Sequence, residues 1–283
     1  MIITRTPFRI SFFGGGTDYP SWYENYGGKV LSTTIDKYCY ISCRYWPPFF
    51  DQKYRIVYSK TELTNTIQEI QHPSVRACLN FLKIEQGVEI IYNADIPSRS
   101  GLGTSSAFTV GLLSALYGVK GIMISKMQLA LDAIYVEQKL IGENVGSQDQ
   151  TAASYGGLNL ITFGGKEKIN VTPITISLEK INELQNHLML IFTGFSRNAS
   201  DIAKENIQNI TKKKNEFETL QQFVDEATKI LNKGTSICEF GKLLHESWKI
   251  KRSLTRNISN STIDDIYSSA RKEGALGGKL LGA

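Results

Sequence analysis

The segment Pro97-Ser98-Arg99-Ser100-Gly101-Leu102-Gly103-Thr104-Ser105-Ser106-Ala107 constrains this chain more than any other. It follows a β-prone run, Val88–Tyr92, closed by Asn93-Ala94-Asp95-Ile96-Pro97. It runs straight into Phe108–Tyr117, an uncharged apolar helix. Glycines let backbone N–H groups approach an anion, and a helix N-terminus adds partial positive charge. The hydroxyls of Thr104, Ser105 and Ser106 can donate to phosphate or ligate Mg2+. No Lys follows the last glycine, so this is not a Walker A loop. A lone glycine-serine turn is usually only a turn. Its place between a strand and an apolar helix strengthens the phosphate-binding reading.

A second glycine turn follows another strand. Ile2–Ile10 is apolar and β-prone and meets Phe12-Phe13-Gly14-Gly15-Gly16-Thr17-Asp18-Tyr19. Three glycines permit a backbone that other residues resist. Asp18 can accept hydrogen bonds from sugar hydroxyls. Arg9, inside the apolar strand, needs an anionic partner. Two carboxylates could serve the phosphate loop. Glu137 lies in the helical segment Ser125–Ile141, with Leu129, Ala133, Val136 and Leu140 on one face and Gly142 closing it. Asp149 follows in the polar loop Glu143-Asn144-Val145-Gly146-Ser147-Gln148-Asp149-Gln150, with a helix continuing through Thr151-Ala152-Ala153. One metal ligand and one base would suit such a pair, although most Asp and Glu are plain surface charges. His72, His187 and His245 stand isolated and read as structural or surface residues. The tail Gly274–Ala283, with Lys279, reads by itself as a frayed end.

The remaining segments give the organisation. Gly28–Arg44 suits one strand or a hairpin, broken at Pro47-Pro48, and Tyr54–Tyr58 suits another short strand. His72–Leu82 has helical apolar spacing. Strands are expected at Leu158–Phe163, Ile169–Ile176 and His187–Phe192. From Ser200 to Leu254 the chain becomes Lys/Glu-rich with helical spacing, first Phe217, Leu220, Phe223, Ala227 and Ile230, then Phe240, Leu243, Leu244 and Trp248. That change puts a domain boundary near residues 177–186, giving domains 1–178 and 179–283. At ~150 residues per domain, a chain of 283 residues suits one large or two modest domains.

Composition excludes several classes. No apolar run could span a bilayer, and Met1-Ile2-Ile3-Thr4-Arg5-Thr6-Pro7 is no secretory signal. A cytoplasmic protein is expected, with Cys39, Cys43, Cys78 and Cys238 as reduced thiols and no zinc cluster. The net charge is +5, and Arg197–Arg256 carries 12 Lys+Arg against 8 Asp+Glu. This mild surplus suits an anionic small substrate and is too weak for nucleic acid.

Three segments, in order, resemble the motifs of the GHMP kinases (galacto-, homoserine, mevalonate and phosphomevalonate kinases). Thr6–Tyr19 resembles the first motif and Pro97–Ala107 the second, a phosphate loop. Gly277-Gly278-Lys279-Leu280-Leu281-Gly282-Ala283 resembles the start of the third. Family members usually continue past that Gly-Ala into more glycines and strands, so the third motif is expected only in part. The resemblance implies an α+β protein of two domains. The N-terminal domain would have a ribosomal S5 domain 2-like fold and the C-terminal one a ferredoxin-like fold, with ATP in the cleft between them. Pro97, Ser98, Ser100, Gly101, Leu102, Gly103, Thr104, Ser105 and Ser106 would wrap the ATP phosphates. Ser105 and Glu137 would ligate Mg2+. Asp149 would take a proton from the sugar hydroxyl, and Arg9 would lie near the transferred phosphoryl. Gly14, Gly15, Gly16, Thr17, Asp18 and Tyr19 would hold the sugar, with Lys279 and Arg197 as further substrate contacts. The motif forms are most similar to those of members acting on a heptose 7-phosphate at its anomeric hydroxyl. A free sugar such as fucose is the alternative acceptor, and a catalytically silent sugar sensor is a third reading.

Overall fold

Residues Gly28 to Tyr45 form one 18-residue strand, β2, in the computed structural model, which describes residues 1–164, 169–194, 212–233, 235–255 and 257–282 with Glu205, Ile207 and Ile210. Strand β1 (Ile2–Phe13) runs antiparallel along one edge of β2. The other edge is shared: β5 (Val88–Ala94) pairs with Cys39–Tyr45 and β6 (Leu158–Phe163) with Gly28–Thr33. Strands β3 (Tyr54–Val57), β4 (Thr61–Thr64) and β7 (Ile169–Pro173) extend the sheet to the order β4-β3-β5-β2-β6-β7, with β1 beside β2.

The helices are α1 (Pro20–Tyr26), α2 (Pro73–Phe81), α3 (Thr104–Val119), α4 (Lys126–Tyr135), α5 (Gln148–Tyr155), α6 (Leu178–Asn186), α7 (Lys214–Asn232), α8 (Ile237–Leu254) and α9 (Ser261–Lys272). Alternation along the strands divides them between two layers. Val30 and Ile161 pack with Ile134 of α4 and Ala152 of α5. Leu31, one residue on, packs with Val224 of α7 and Phe240 of α8. Helix α3 packs on β1 and β2 and is buried almost all round, as an uncharged helix must be. The end of β1 is sandwiched, so Phe12 and Phe13 are both buried and both meet the Phe240 ring edge-on.

Three expectations meet corrections. The segment Ser125–Ile141 is not one uniform helix. After Tyr135 it widens into a π-turn, Val136–Ile141, closed by left-handed Gly142 (φ 80°). The wider turn shifts the buried face, so Leu129, Ala133 and Val136 are buried while Leu140 is 44% exposed. Among the described residues no strand follows Pro173. Residues 187–192, expected as a strand, lie outside the sheet with Leu188, Met189, Leu190, Ile191 and Phe192 exposed. An extended segment becomes a strand only where a neighbouring ladder accepts its backbone groups. The tail is not frayed: Gly277–Gly282 packs against α8 and the phosphate loop. Among the described residues no helix is long and apolar enough to cross a membrane.

Candidate active site

Register shifts in the β1–β2 pairing fall between Pro7 and Arg9 and between Ser11 and Phe13. The first leaves Phe8 and Arg9 both buried, against simple alternation. Arg9 is thus directed into the protein, and four hydrogen bonds fix it. Its backbone N–H donates to Leu102 O (3.0 Å) and Nη1 to Gly101 O (2.7 Å), which tie it to the phosphate loop. Nε and Nη2 donate to Asp149 Oδ1 and Oδ2, each at 2.7 Å. Asp149 stands in the first turn of α5 with its side chain 24% exposed, so the carboxylate keeps an open side. Gly103, at φ 71°, lies beneath this pair; a Cβ there would sit 3.1 Å from Arg9 Cγ.

Gly103 is also the N-cap of α3, and no side chain caps that helix. Its first-turn N–H groups therefore form an anion site of the kind helix N-termini provide. Thr104 Oγ1 is committed to the loop itself, accepting from Arg99 N at 3.1 Å. Pro97, Ser98 and Ser105 are exposed, Leu102 is buried, and Ser100 Oγ is buried without a partner. The backbone of Leu281 and Gly282 lies directly on Gly101. Lys251 Nζ holds Gly282 O at 2.6 Å.

Glu137, at the start of the π-turn, is 1% exposed. Ser106 Oγ donates to its Oε2 at 2.9 Å, and Gln150 Nε2 donates to the same oxygen. Oε1 is buried with no partner. Burial pushes this carboxyl up to about 7, against the donors that hold it down. The resemblance implies that Ser105 and Glu137 share a Mg2+; the hydroxyl bonded directly to Glu137 is that of Ser106. Gln150 went unnoticed, although it directly follows Asp149.

The first-motif loop closes around Asp18, which is 2% exposed. Its Oδ1 accepts from Gly16 N (2.9 Å) and Oδ2 from Gln148 N (3.3 Å), while its carbonyl accepts from Ser147 N (2.9 Å). Gly146 passes so close that a Cβ would overlap Asp18 Oδ2. Burial raises the Asp18 carboxyl above its ordinary range, the nearby Asp149 adds to the rise, and the N–H donors oppose it. Thr17 Oγ1 ties the turn to Gly14 O (2.8 Å) and Lys29 O (2.9 Å), and Tyr19 is buried. Phe217 of α7 closes over Gly16, and Gly15 lies near Ser11 Oγ. Lys279 Nζ donates to Ser11 O (2.8 Å) and Phe12 O (3.2 Å). Burial, with Lys251 and Arg9 nearby, drives its amine well below the usual lysine range, and Asp18 opposes this. The structure thus brings together Arg9, Asp18, Asp149 and Lys279. Arg197 lies outside the described residues.

Asp149 thus stands beside the uncapped N-terminus of α3 and near the Asp18 turn. Residues 65–157 match the profile of the GHMP kinases N terminal domain. Over 294 residues the chain is 30% identical to the D-glycero-alpha-D-manno-heptose 7-phosphate kinase of Campylobacter jejuni, covering 100% of this chain and 86% of that protein. The chain belongs to the GHMP kinase family and is an ATP-dependent sugar kinase. It is also 24% identical to the bifunctional fucokinase/GDP-fucose pyrophosphorylase of Arabidopsis thaliana, over 98% of this chain and 28% of that protein. A crystal structure of a D-glycero-D-manno-heptose 1-phosphate kinase from Bacteroides thetaiotaomicron superposes with a TM-score of 0.78 at 25% identity, covering 100% of this chain and 86% of that one.

Proposed function

We propose that the protein transfers the γ-phosphoryl group of ATP to the anomeric hydroxyl of D-glycero-D-manno-heptose 7-phosphate, giving the 1,7-bisphosphate. The observation that carries the reaction type is the fixed carboxylate of Asp149 between the α3 N-terminus and the Asp18 turn. The acceptor is taken from the Campylobacter relative, 30% identical over the whole of this chain.

Each oxygen of Asp149 accepts one bond from Arg9 and keeps a lone pair for a hydroxyl. Asp149 orients the attacking hydroxyl and receives its proton. Arg9 holds the carboxylate in place and brings positive charge to the phosphate loop, where charge on the transferred group must be balanced. Asp18 accepts hydrogen bonds from sugar hydroxyls, and Gly14–Tyr19 shapes their pocket. Among the described residues no three His, Cys, Asp or Glu side chains form a metal cage. Glu137 fits a single Mg2+ ligand, because its Oε1 is a buried acceptor without a donor. With the hydroxyl of Ser105 or Ser106 and the ATP phosphates completing the shell, Mg2+ would neutralise phosphate charge there.

A second reading, a 1-kinase for a free sugar such as fucose, draws on the fucokinase relative. A panel decides between them: ATP consumption with heptose 7-phosphate, heptose 1-phosphate, unphosphorylated heptose and L-fucose, with the product phosphate located by 31P NMR. A 1,7-bisphosphate formed from the 7-phosphate alone is expected. Turnover of an unphosphorylated sugar in preference would overturn the heptose phosphate assignment. ATP binding without turnover of any sugar would support a silent sensor instead.

A further inference from the structure

Three consecutive residues at the start of α5 each grip a different charged group of the site. Gln148 N–H donates to Asp18, the Asp149 carboxylate pairs with Arg9, and the Gln150 amide donates to Glu137. The first two fit the acceptor and the base. The third has no part in the reading above.

Gln150 is fully buried, and its donor goes to Glu137 Oε2, the oxygen that Ser106 already serves. Two donors on one oxygen and none on the other is an unbalanced way to bury a carboxylate, because each oxygen has lone pairs to satisfy. The Thr109 hydroxyl also serves this carboxyl, besides reaching Ser105 O at 3.3 Å, and Oε1 is still left without a hydrogen-bond partner. A packing role alone gives no reason to load one oxygen and leave its twin bare. A cation on Oε1 gives that reason.

We propose that Gln150 is a positioning residue for the metal: by binding Oε2 together with Ser106, it sets the Glu137 carboxylate so that Oε1 faces the cation. This rests on the reading of Glu137 as the Mg2+ ligand. Because Gln150 and Asp149 are neighbours on one helix, α5 fixes the base and the metal carboxylate relative to each other. Outer partners that orient metal ligands commonly change metal affinity by about 10- to 100-fold when removed.

The test uses the full chain with Gln150→Met, which keeps the length and loses the donor, and Gln150→Asn, which keeps the amide and loses the reach. Mn2+ is the probe, read by electron paramagnetic resonance with a non-hydrolysable ATP analogue. Both variants should bind Mn2+ about 10- to 100-fold more weakly than the parent. The KM for the sugar and the metal-free affinity for the nucleotide should not move. Equal Mn2+ affinity in folded variants overturns the proposal. So does failure of both variants to fold, which would assign Gln150 to the core. Glu137→Gln separates the underlying reading: if it binds Mn2+ as the parent does, Glu137 is no ligand and the kinase reading of that carboxylate falls first.

Discussion

Arg9 and Asp149, 140 residues apart in sequence, meet in a two-point ion pair with both bonds at 2.7 Å. The guanidinium is buried, so the pair is worth most when broken: a lost partner leaves an uncompensated charge. Asp149→Ala should destabilise the fold by about 3 kcal/mol, less if water enters the open side. Asp149→Asn keeps the shape and should melt closer to the parent. Both should lower kcat by about 10^2- to 10^4-fold and leave ATP binding in place. Unchanged turnover in the Asn variant would take Asp149 out of the mechanism.

The Glu137 carboxyl carries a pH signature. It titrates near 7 in the fold and near 4.5 when exposed. Between these values the folded protein keeps a proton that the unfolded chain has released. Stability from this group is therefore complete below about 4.5 and is lost as pH rises to about 7. Glu137→Gln has no such slope. In the presence of chelator, its melting temperature relative to the parent should rise between pH 5 and pH 8. A constant difference would show that Glu137 does not titrate in this window.

Gly146 is the place to perturb the proposed acceptor turn without removing a polar group. A methyl at this position collides with Asp18 Oδ2. Gly146→Ala should raise the KM for the sugar, leave the KM for ATP near its parent value, and reduce stability by about 1 to 3 kcal/mol. Initial-rate kinetics and a thermal melt check both. A change confined to ATP would place the Asp18 turn on the nucleotide side.

Lys279 secures the end of β1 through Ser11 O and Phe12 O. Lys279→Met keeps the aliphatic bulk and removes both bonds. Hydrogen exchange should then quicken at Gly14–Asp18 and across Gly277–Gly282, with a higher KM for the sugar. Exchange and kinetics both unchanged would detach Lys279 from the site.

What the sequence disclosed was what neighbouring residues could carry. The phosphate loop was legible because glycines, hydroxyls and a buried helix follow one another from Gly101 to Tyr117. The Gly14–Asp18 segment was legible as a turn because three glycines follow a β-prone run. Asp149 and Glu137 became candidates through resemblance, since spacing does not reveal that Arg9 lies between one of them and the loop. The π-turn escaped because one extra residue per turn leaves no compositional mark, and with it went the true surroundings of Leu140 and Glu137. The exposure of Leu188–Phe192 escaped too, because an apolar run announces a strand but not whether a ladder is present to receive it. Helices α1, α6 and α9 were missed because α1 and α6 are short, with 7 and 9 residues, and α9 is mostly polar, although Pro20, Ser177 and Asn260 mark their starts.

The bond from Lys279 to Ser11 spans 268 positions. Contacts so far apart in sequence form late, because the intervening chain must first be ordered. During synthesis the phosphate loop and Asp149 emerge while the acceptor turn still lacks its lysine. A polypeptide interrupted before residue 279 would lack both the lysine that ties Ser11 and Phe12 and the Leu281–Gly282 backbone that lies on Gly101, so the two glycine turns wait on the same last residues.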